Sequence, residues 1–422
     1  MKRGYLGMSP VIIEQDGLSP NTIMEALKKF TDNINVSKVL LIPPDSTRPH
    51  SGAGLITTMF YSLFSANEIQ VDILPALGTH EPMTSEQISR FFRGIPTERF
   101  ITHKWRDGVT AVGTIPSSFV RDISKGYMNK PIPVEVSNTL IDKSYDLILS
   151  IGQVVPHEVA GMANYSKNIF VGCGGIGFIN SSHMLGAYYG IEQTLGCIDT
   201  PVRKMFDYAE KNFLRELPLE YVLTVTESTR DKTDIIGLYL GGGRTSFERA
   251  AKLSQKRNIV HLPSPIPTCV VWLNEATFSS TWLGNKAIYR TRKAIADGGN
   301  LIILAPGVRS FGEDNENDRV IRKYGYIGRK RILSLCKSEK DLMSNLSAAA
   351  HLIHGSSDGR FSIIYAAPLL GNEAIESVGY HYMDFAEAVR QYDPSVLGLG
   401  SNIINGENIY FIPNPATGLW VC

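Results

Sequence analysis

Two histidines and one lysine interrupt a run of small and glycyl residues between positions 156 and 183: His157, Lys167 and His183. An imidazole can transfer a proton or bind a metal, and a lysine amine can be acylated. Glycines let a bulky ligand approach the backbone closely. The composition of this stretch therefore predicts a site at which chemistry takes place.

Two further loops carry reactive groups, and each follows an apolar run that predicts a strand. The sequence DSTRP at residues 45–49 follows residues 39–42, and Gly78 and His80 follow residues 69–74. Ligands of open α/β sheets gather at the carboxyl ends of strands, so both loops are candidates for one common site. The first loop could be only a capped turn, but Arg48 suits bidentate capture of a carboxylate or phosphate.

Two glycine runs could bind phosphate groups, but each gives only a weak signal for such a site. Residues 172–177 match the G-x-G-x-x-G pattern of dinucleotide-binding turns, but we expect the polar residues 180–183 to interrupt the helix that this pattern requires. Residues 241–243 could cradle a phosphate before a helix over 246–255, yet no Lys-Ser/Thr follows them, which favours a tight turn.

Composition narrows the class of partner. The chain has 42 Lys plus Arg against 41 Asp plus Glu, so its charges nearly balance. Without a broad positive electrostatic field, binding to nucleic acid or to an anionic membrane is not favoured, and a small ligand is expected. Five cysteines without a CxxC pair argue against a disulfide framework or zinc knuckle. The amino terminus has two basic residues but no continuous apolar run, so we expect a cytoplasmic protein. A homo-oligomer is compatible with this sequence.

The alternation of apolar runs and amphipathic stretches predicts an α/β fold of two α/β domains with mainly parallel sheets. Strands are expected over residues 39–42, 69–74, 147–151, 221–225, 235–240, 301–304 and 361–366. Helix starts are expected at the capping box beginning at Thr84, at Thr200 before Pro201, and at Ser338, whose helix Gly355 would end.

A proline-rich connection over residues 261–267 separates the two predicted domains, because prolines cannot continue a helix. We therefore expect a cofactor-binding domain over residues 1–262 and a second α/β domain over 263–422, with the last strand able to pack back on the first. A cofactor and substrate are expected in the cleft between them.

In the histidine, lysine and arginine motifs described above, the sequence resembles the nickel-dependent lactate racemase family. The family has an Asp-x-x-Arg-Pro motif, then Gly-x-His, then Pro-His followed after ten residues by a cofactor-bearing lysine and after sixteen more by a nickel-binding histidine. The matching positions here are Asp45, Arg48, Gly78, His80, Pro156, His157, Lys167 and His183.

The resemblance implies a racemase or epimerase of a small 2-hydroxy acid. It implies a nickel-pincer nucleotide, loaded by cofactor-synthesis enzymes, bound covalently through Lys167 and with its nickel on His183. His80 and His157 would be a reciprocal acid–base pair, and Arg48 and Lys286 would bind the substrate. Further cofactor contacts are expected at Asp45, Thr47 and Gly172.

The sequence also departs from the family pattern. Leu283 stands where lactate racemases have a glutamine three residues before the second-domain lysine, which favours another 2-hydroxy acid, including a larger sugar acid. The residues before and after Lys167 differ too. Two alternatives stay open: a nicotinamide-dependent 2-hydroxyacid dehydrogenase that uses residues 172–177, and a non-catalytic ligand-binding protein.

Overall fold

The computed structural model describes residues 8–32, 34–229 and 232–422. Contacts within the chain divide it into two compact units. The first comprises Met1–Leu185 and Leu195–Arg257, and the second comprises Gly186–Thr194 and Asn258–Cys422. The predicted boundary at 262/263 stays a prediction, and residues 1–7, which hold the basic start of the chain, lie outside the described residues.

Strands and helices alternate along both units. The strands are β1 (Val11–Glu14), β2 (Lys38–Ile42), β3 (Gln70–Ile73), β4 (Val109–Ile115), β5 (Ile132–Ser137), β6 (Leu147–Gln153), β7 (Pro156–His157), β8 (Gly161–Met162), β9 (Leu219–Ser228), β10 (Thr233–Leu240), β11 (Ile259–His261), β12 (Ile266–Trp272), β13 (Ile295–Leu304), β14 (Ser362–Ala366), β15 (His381–Tyr382), β16 (Gly400–Ile404), β17 (Glu407–Ile412) and β18 (Leu419–Val421).

The helices follow in the same order: α1 (Pro20–Thr31), α2 (Ala53–Ser65), α3 (Ser85–Phe91), α4 (Ser117–Ile123), α5 (Ile176–Tyr189), α6 (Ile191–Thr194), α7 (Pro201–Ala209), α8 (Gly243–Asn258), α9 (Thr281–Gly284), α10 (Lys286–Thr291), α11 (Asn315–Tyr324), α12 (Arg329–Leu335), α13 (Lys340–Ser344), α14 (Leu346–His354), α15 (Asn372–Ser377) and α16 (Phe385–Gln391). Short π-helical turns cover Asn168–Gly172 and Glu210–Leu214.

The main sheet of the first unit has the strand order β1-β10-β9-β6-β2-β3. The strands from β9 to β3 run parallel, and β10 and β1 are added antiparallel. Alternate residues of β2 enter different core clusters, Leu40 and Ile42 on one face and Val39 and Leu41 on the other. Both faces are therefore covered, which explains why this strand is a continuous apolar run.

The second unit repeats this plan with the order β15-β14-β13-β12-β17-β16, in which only β16 is antiparallel to its neighbour among the strands described. The last strand, β18, pairs in parallel with β11, and both lie in the second unit. The predicted α/β class with mainly parallel sheets is confirmed. No helix in the described part of the chain is long and apolar enough to cross a membrane.

Each of the predicted strands corresponds to an observed one, and two predicted helix starts are confirmed. Thr84 and Gln87 form a reciprocal capping box at α3, and the Thr200 side chain accepts a hydrogen bond from the Arg203 N–H at the start of α7. The acidic stretch over residues 313–319 contains the Asp314 cap of α11.

The helix expected to begin at Ser338 and end before Gly355 is wrong as a single element. It is two helices, α13 and α14, and Glu339 precedes α13 without a side-chain cap. Asn345 leaves the helical conformation with φ −124° and ψ 72°, and its side chain accepts the Ala348 N–H at 3.0 Å. Asparagine competes well for this capping position, so the helix restarts there.

The expectation that residues 180–183 interrupt a helix is also wrong. They lie inside α5, and His183 is in the middle of that helix. The Ser181 and Ser182 hydroxyls bond to carbonyls of the preceding turn at 2.8 and 2.7 Å, so these polar side chains are satisfied without breaking the helix.

Candidate active site

The loops that follow β2 and β3 lie side by side because these strands are parallel neighbours. A further bridge joins Pro44 to Ala76 beyond the strand ends, and the Ala76 N–H donates to the Pro43 carbonyl at 2.8 Å. The His80 Nδ1 consequently lies 2.5 Å from Asp45 Oδ2. The structure thus brings together the Asp-x-x-Arg-Pro and Gly-x-His residues, as their position at strand ends predicts.

Asp45 is the centre of this group and is only 2 % exposed. Its Oδ1 accepts hydrogen bonds from the Thr47 N–H at 3.1 Å, the Thr47 hydroxyl at 2.5 Å and Arg48 Nη1 at 3.0 Å. Burial alone would raise the pKa of this carboxyl, but His80, Arg48 and the Thr47 contact together hold it well below its usual range. Asp45 is therefore ionised, and His80 Nδ1–H donates to it.

Arg48 combines an internal contact with an exposed position. Its Nη1 donates to Asp45 and, at 2.6 Å, to the Thr47 hydroxyl, while 35 % of its side chain is exposed. A guanidinium has five N–H donors, so two contacts at one nitrogen leave the group able to bind an anion as well. Its predicted role in substrate binding stays a prediction.

His157 is held by the short hairpin of β7 and β8. Its Nδ1 accepts the N–H groups of Val159 at 3.1 Å and Ala160 at 3.3 Å. Its Nε2 lies 3.6 Å from the Glu158 Oε1, and both side chains are largely buried. The backbone of its own turn therefore helps to orient the ring.

Lys167 immediately precedes the first π-helical turn. The next residue, Asn168, is buried, and its amide donates to the Ile42 carbonyl at 3.1 Å and the Ser150 hydroxyl at 3.0 Å. These contacts attach the turn to the carboxyl ends of β2 and β6. At its other end, the Gly172 carbonyl accepts the Gly78 N–H at 2.9 Å. The candidate tether is thus part of a segment bonded to the His80 loop.

His183 is electrostatically coupled to the Lys167 ammonium across this segment. Burial lowers the pKa of His183 to about 4 against the opposing effect of the Ile179 carbonyl, and Lys167 lowers it further while Glu158 raises it. The His183 Nδ1 lies 2.8 Å from the Ile179 carbonyl, which can only accept a hydrogen bond. The neutral ring therefore carries its proton on Nδ1 and its lone pair on Nε2, the form that binds metals.

In the described part of the chain, no group of three or more His, Cys, Asp or Glu side chains is gathered for a metal ion. His183 alone cannot complete a coordination sphere. A metal bound there would need its other ligands from a bound molecule, and the donor set fits the cofactor implied by the sequence resemblance, in which one histidine joins ligands of the pincer nucleotide.

Packing explains the glycines at 172–177 without a bound dinucleotide. A Cβ on Gly174 would lie 1.9 Å from the Phe170 carbonyl oxygen. The Glu135 carboxylate accepts the Gly177 N–H at 3.2 Å, at the amino terminus of α5. A dinucleotide-binding helix directs this end at a pyrophosphate, and a carboxylate in that position repels one. This geometry disfavours the nicotinamide alternative.

Sequence reasoning missed Arg203, which organises the segment before Lys167. It is fully buried, and it donates to the Ser166 hydroxyl at 2.9 Å and to the Met162 carbonyl at 2.7 Å. Its guanidinium also lies 4.5 Å from the centroid of the Phe247 ring. Its place three residues after the Thr200 cap gives no signal of these partners, which come together only in the tertiary structure.

The backbone of the same segment is unusual. Asn164 and Tyr165 both have positive φ, 59° and 57°, which non-glycine residues rarely adopt. Near the end of β6, a Cβ on Gly152 would lie only 1.8 Å from the side-chain amide nitrogen of Asn164, so this position needs glycine. Strained backbone that the surroundings hold in place is typical of functional sites, and here it directly precedes the predicted tether.

Lys286 lies in the second unit at the start of α10, with its ammonium 5.8 Å from the centroid of the Phe278 ring. The preceding Asn285 is buried, and its side chain accepts the Tyr365 hydroxyl at 2.8 Å and donates to Tyr380 at 3.0 Å. The start of α10 is therefore firmly held, and the role of Lys286 in substrate binding stays a prediction.

Comparison with known proteins identifies a domain in the first part of the chain. Residues 15–194 match the family model of the lactate racemase N-terminal domain, Lar_N. No curated protein matches the chain.

Two solved structures have the same fold. A protein from Thermotoga maritima is 24% identical, with a TM-score of 0.84 over 97% of this chain and 99% of that one. The lactate racemase apoprotein from Thermoanaerobacterium thermosaccharolyticum is 17% identical, with a TM-score of 0.70 over 97% and 94%. Residues 15–194 are therefore similar to the lactate racemase N-terminal domain, as the sequence motifs predicted, and the chain as a whole has the fold of these two structures.

Proposed function

We propose that this protein is a racemase or epimerase of a 2-hydroxy acid, with a nickel-pincer nucleotide attached covalently to Lys167. The observation that carries the proposal is the Gly78 to Gly172 hydrogen bond, which joins the loop of His80 to the segment that Lys167 begins. A candidate tether and a candidate proton-transfer group therefore belong to one bonded framework at the end of the sheet.

The residues present fit this cofactor. The Lys167 amine would form the thioamide link, and the Nε2 of His183 would bind nickel as a neutral imidazole. When bound, the cofactor supplies a carbon that reversibly accepts a hydride from C2 of the substrate. Asp45, Thr47 and Gly172 remain predicted cofactor contacts, although Asp45 and Thr47 already bond to each other.

The side chains of the first unit would bind the substrate and move its hydroxyl proton. His80 has its lone pair on Nε2, because Nδ1–H donates to Asp45, and it can accept the proton there. The adjacent Asp45 carboxylate stabilises the imidazolium that forms. The half-exposed Arg48 guanidinium would hold the substrate carboxylate.

The substrate is proposed to be larger than lactate. Leu283 is buried, 6% exposed, and offers no hydrogen bond where the family has a glutamine side chain. An apolar residue at this position favours a substrate bound without that polar contact, so a longer 2-hydroxy acid or a sugar acid is proposed.

Coexpression with the cofactor-synthesis enzymes tests the proposal. Intact mass and metal content should reveal one covalent nucleotide with nickel, and the Lys167→Arg variant, which keeps the positive charge, should carry none. Loaded protein should then interconvert epimers of at least one acid in a panel of 2-hydroxy acids without consuming reduced nicotinamide.

Three results would contradict the proposal in different ways. Absence of a covalent nucleotide in the wild-type protein refutes the cofactor assignment. Stoichiometric change in nicotinamide absorbance identifies a dehydrogenase instead. Full loading without turnover of any acid in the panel favours a non-catalytic binding protein.

A further inference from the structure

The strand β16 is an open edge of the sheet in the second unit, and its hairpin shows which of its backbone groups point outward. Among the strands described, β16 pairs only with β17. Asn405 and Gly406 join the two strands, and both have positive φ, 51° and 83°, as a two-residue type I′ turn requires. The residue before such a turn, Ile404, is hydrogen-bonded to the opposite strand, and this bonding alternates along the pair. The N–H and C=O groups of Ser401 and Ile403 therefore point away from β17.

The surface around this edge is apolar and uncharged. Ile403 on the strand, and Val396 and Leu399 before it, have 75%, 77% and 63% of their surface exposed. Residues 394–406 contain no Asp, Glu, Lys, Arg or His, although 20% of the whole chain is charged. The register between β16 and β17 is continuous, so no bulge twists the edge away. Soluble proteins prevent edge pairing with charges, prolines or bulges, and β16 has none of these.

The other edges of the two six-stranded sheets are protected. β15, at the opposite end of the same sheet, is only two residues long. In the first unit, β1 ends at Glu14, whose carboxylate accepts Arg249 Nε at 2.6 Å. β3 carries Asp72, whose Oδ2 lies 3.4 Å from the Lys38 Nζ. The lack of protection is thus particular to β16 among the sheet edges described.

We propose that β16 is an interface at which two copies of this chain pair edge to edge. A twofold contact uses the same surface of both copies, so that surface must be self-complementary. Antiparallel pairing centred on Asn402 sets Ser401 of each copy opposite Ile403 of the other, and each of these two pairs exchanges both N–H···O bonds. All the outward backbone groups of these residues are then satisfied, and the six strands of each copy continue into one sheet.

Charge favours a second copy as the occupant of this edge. A twofold axis brings each charged group of an interface toward the same group of the other copy, where like charges repel. Residues 394–406 avoid this repulsion because they carry no charge. A second copy also presents the same outward residues at the same spacing and the same exposed Ile403 side chain, which loses contact with water when the edges pair.

Sedimentation equilibrium of the full chain tests the proposal without cofactor or substrate. The molar mass should rise from that of one chain toward that of two between about 1 and 100 µM, because a contact of one strand is smaller than a standard interface. Ile403→Lys should raise the dissociation constant at least about 10-fold, since it places a charge on the edge of both copies. Leu369→Lys is the matched control: it makes the same change at an aliphatic residue that is 60% exposed on the loop after β14, and it should leave the dissociation constant unchanged.

Hydrogen exchange distinguishes strand pairing from any other dimer. The Ser401 and Ile403 amides point outward in the monomer, so exchange in peptides covering residues 399–406 should slow as the wild-type concentration rises through the range of association. The same peptides of Ile403→Lys should exchange at a rate independent of concentration. A wild-type chain that stays monomeric to about 100 µM overturns the inference, and so does a dimer that Ile403→Lys leaves intact or that Leu369→Lys equally disrupts. Dimerisation without slower exchange in residues 399–406 overturns it too.

Discussion

Replacing Asp45 by asparagine should disable the site through one hydrogen bond while leaving the loop folded. Asp45 Oδ1 accepts three donors, two from Thr47 and one from Arg48, whereas Oδ2 accepts only His80 among the contacts described. An asparagine has one oxygen, and it will satisfy the three donors. Its NH₂ group then faces His80 Nδ1, which must become an acceptor, so the ring proton moves to Nε2 and the lone pair needed there is lost.

The expected loss in kcat is about 10²–10⁴-fold, the range for loss of a general base, and the analogous Asp→Asn change in a serine protease triad, which also selects the wrong tautomer, lies at its upper end. Stability should fall as well. The depressed pKa of Asp45 means that its contribution to the free energy of unfolding is fully present above the unfolded pKa of about 4, and it is lost as pH falls toward the folded pKa.

A buried carboxylate of this kind contributes roughly 2–3 kcal/mol at neutral pH. Urea unfolding of wild-type and Asp45→Asn protein should therefore differ by about this amount at pH 7, and the difference should shrink below about pH 4. Thr47→Val is the comparison variant, because it removes one donor to Oδ1 without facing His80: its stability should fall, but the His80 ring proton, assigned by ¹⁵N NMR, should stay on Nδ1. Loaded Asp45→Asn protein with near-wild-type kcat would refute the role of Asp45 in setting the His80 tautomer.

Four further predictions follow from individual contacts. Lys167→Ala should abolish covalent nucleotide in the intact mass, and an adduct that persists would move the tether to another lysine. His183→Ala should weaken nickel retention by more than about 10-fold in metal analysis while thermal unfolding stays cooperative, and undiminished nickel would assign the metal to another ligand. Gly174→Ala should destabilise the protein by about 1–3 kcal/mol in urea unfolding, because its Cβ would meet the Phe170 carbonyl, and an unchanged midpoint would contradict this packing role. Asn345→Ala should cost about 1 kcal/mol by the same measurement, since it removes the cap of α14, whereas no loss would mean that the cap contributes nothing.

The sheets could be predicted from the sequence because their parallel strands are buried on both faces. Such strands appear as continuous apolar runs, as in β2 and β6, and turn residues mark their ends. The same logic located the Asp45 and His80 loops at one edge, since parallel neighbours end side by side. Local signals were also sufficient where a cap uses residues close in sequence, as at Thr84 and Thr200.

Features that depend on distant partners could not be predicted. The π-helical turn after Lys167 is held by Asn168, whose amide reaches a carbonyl 126 residues earlier in the chain. Arg203 likewise donates to the Met162 carbonyl of β8, 41 residues earlier in the chain. Helix α5 continues through Ser181 and Ser182 because their hydroxyls bond to carbonyls of the same helix. Helix propensity alone predicts a break at these residues.

The glycine motif and the histidines illustrate why residue types identify a site more readily than they assign its chemistry. Glycines at 172–177 match a nucleotide-binding pattern, yet a carboxylate from β5 occupies the helix terminus that a pyrophosphate would need. His80 and His157 are the same residue type at a predicted site, yet a carboxylate holds one and backbone N–H groups hold the other. In each case the decisive group is a hydrogen-bond partner. Where that partner is a carboxylate from another strand or loop, the contact forms only in the tertiary structure. The role of the residue therefore follows from the fold and not from its neighbours in the sequence.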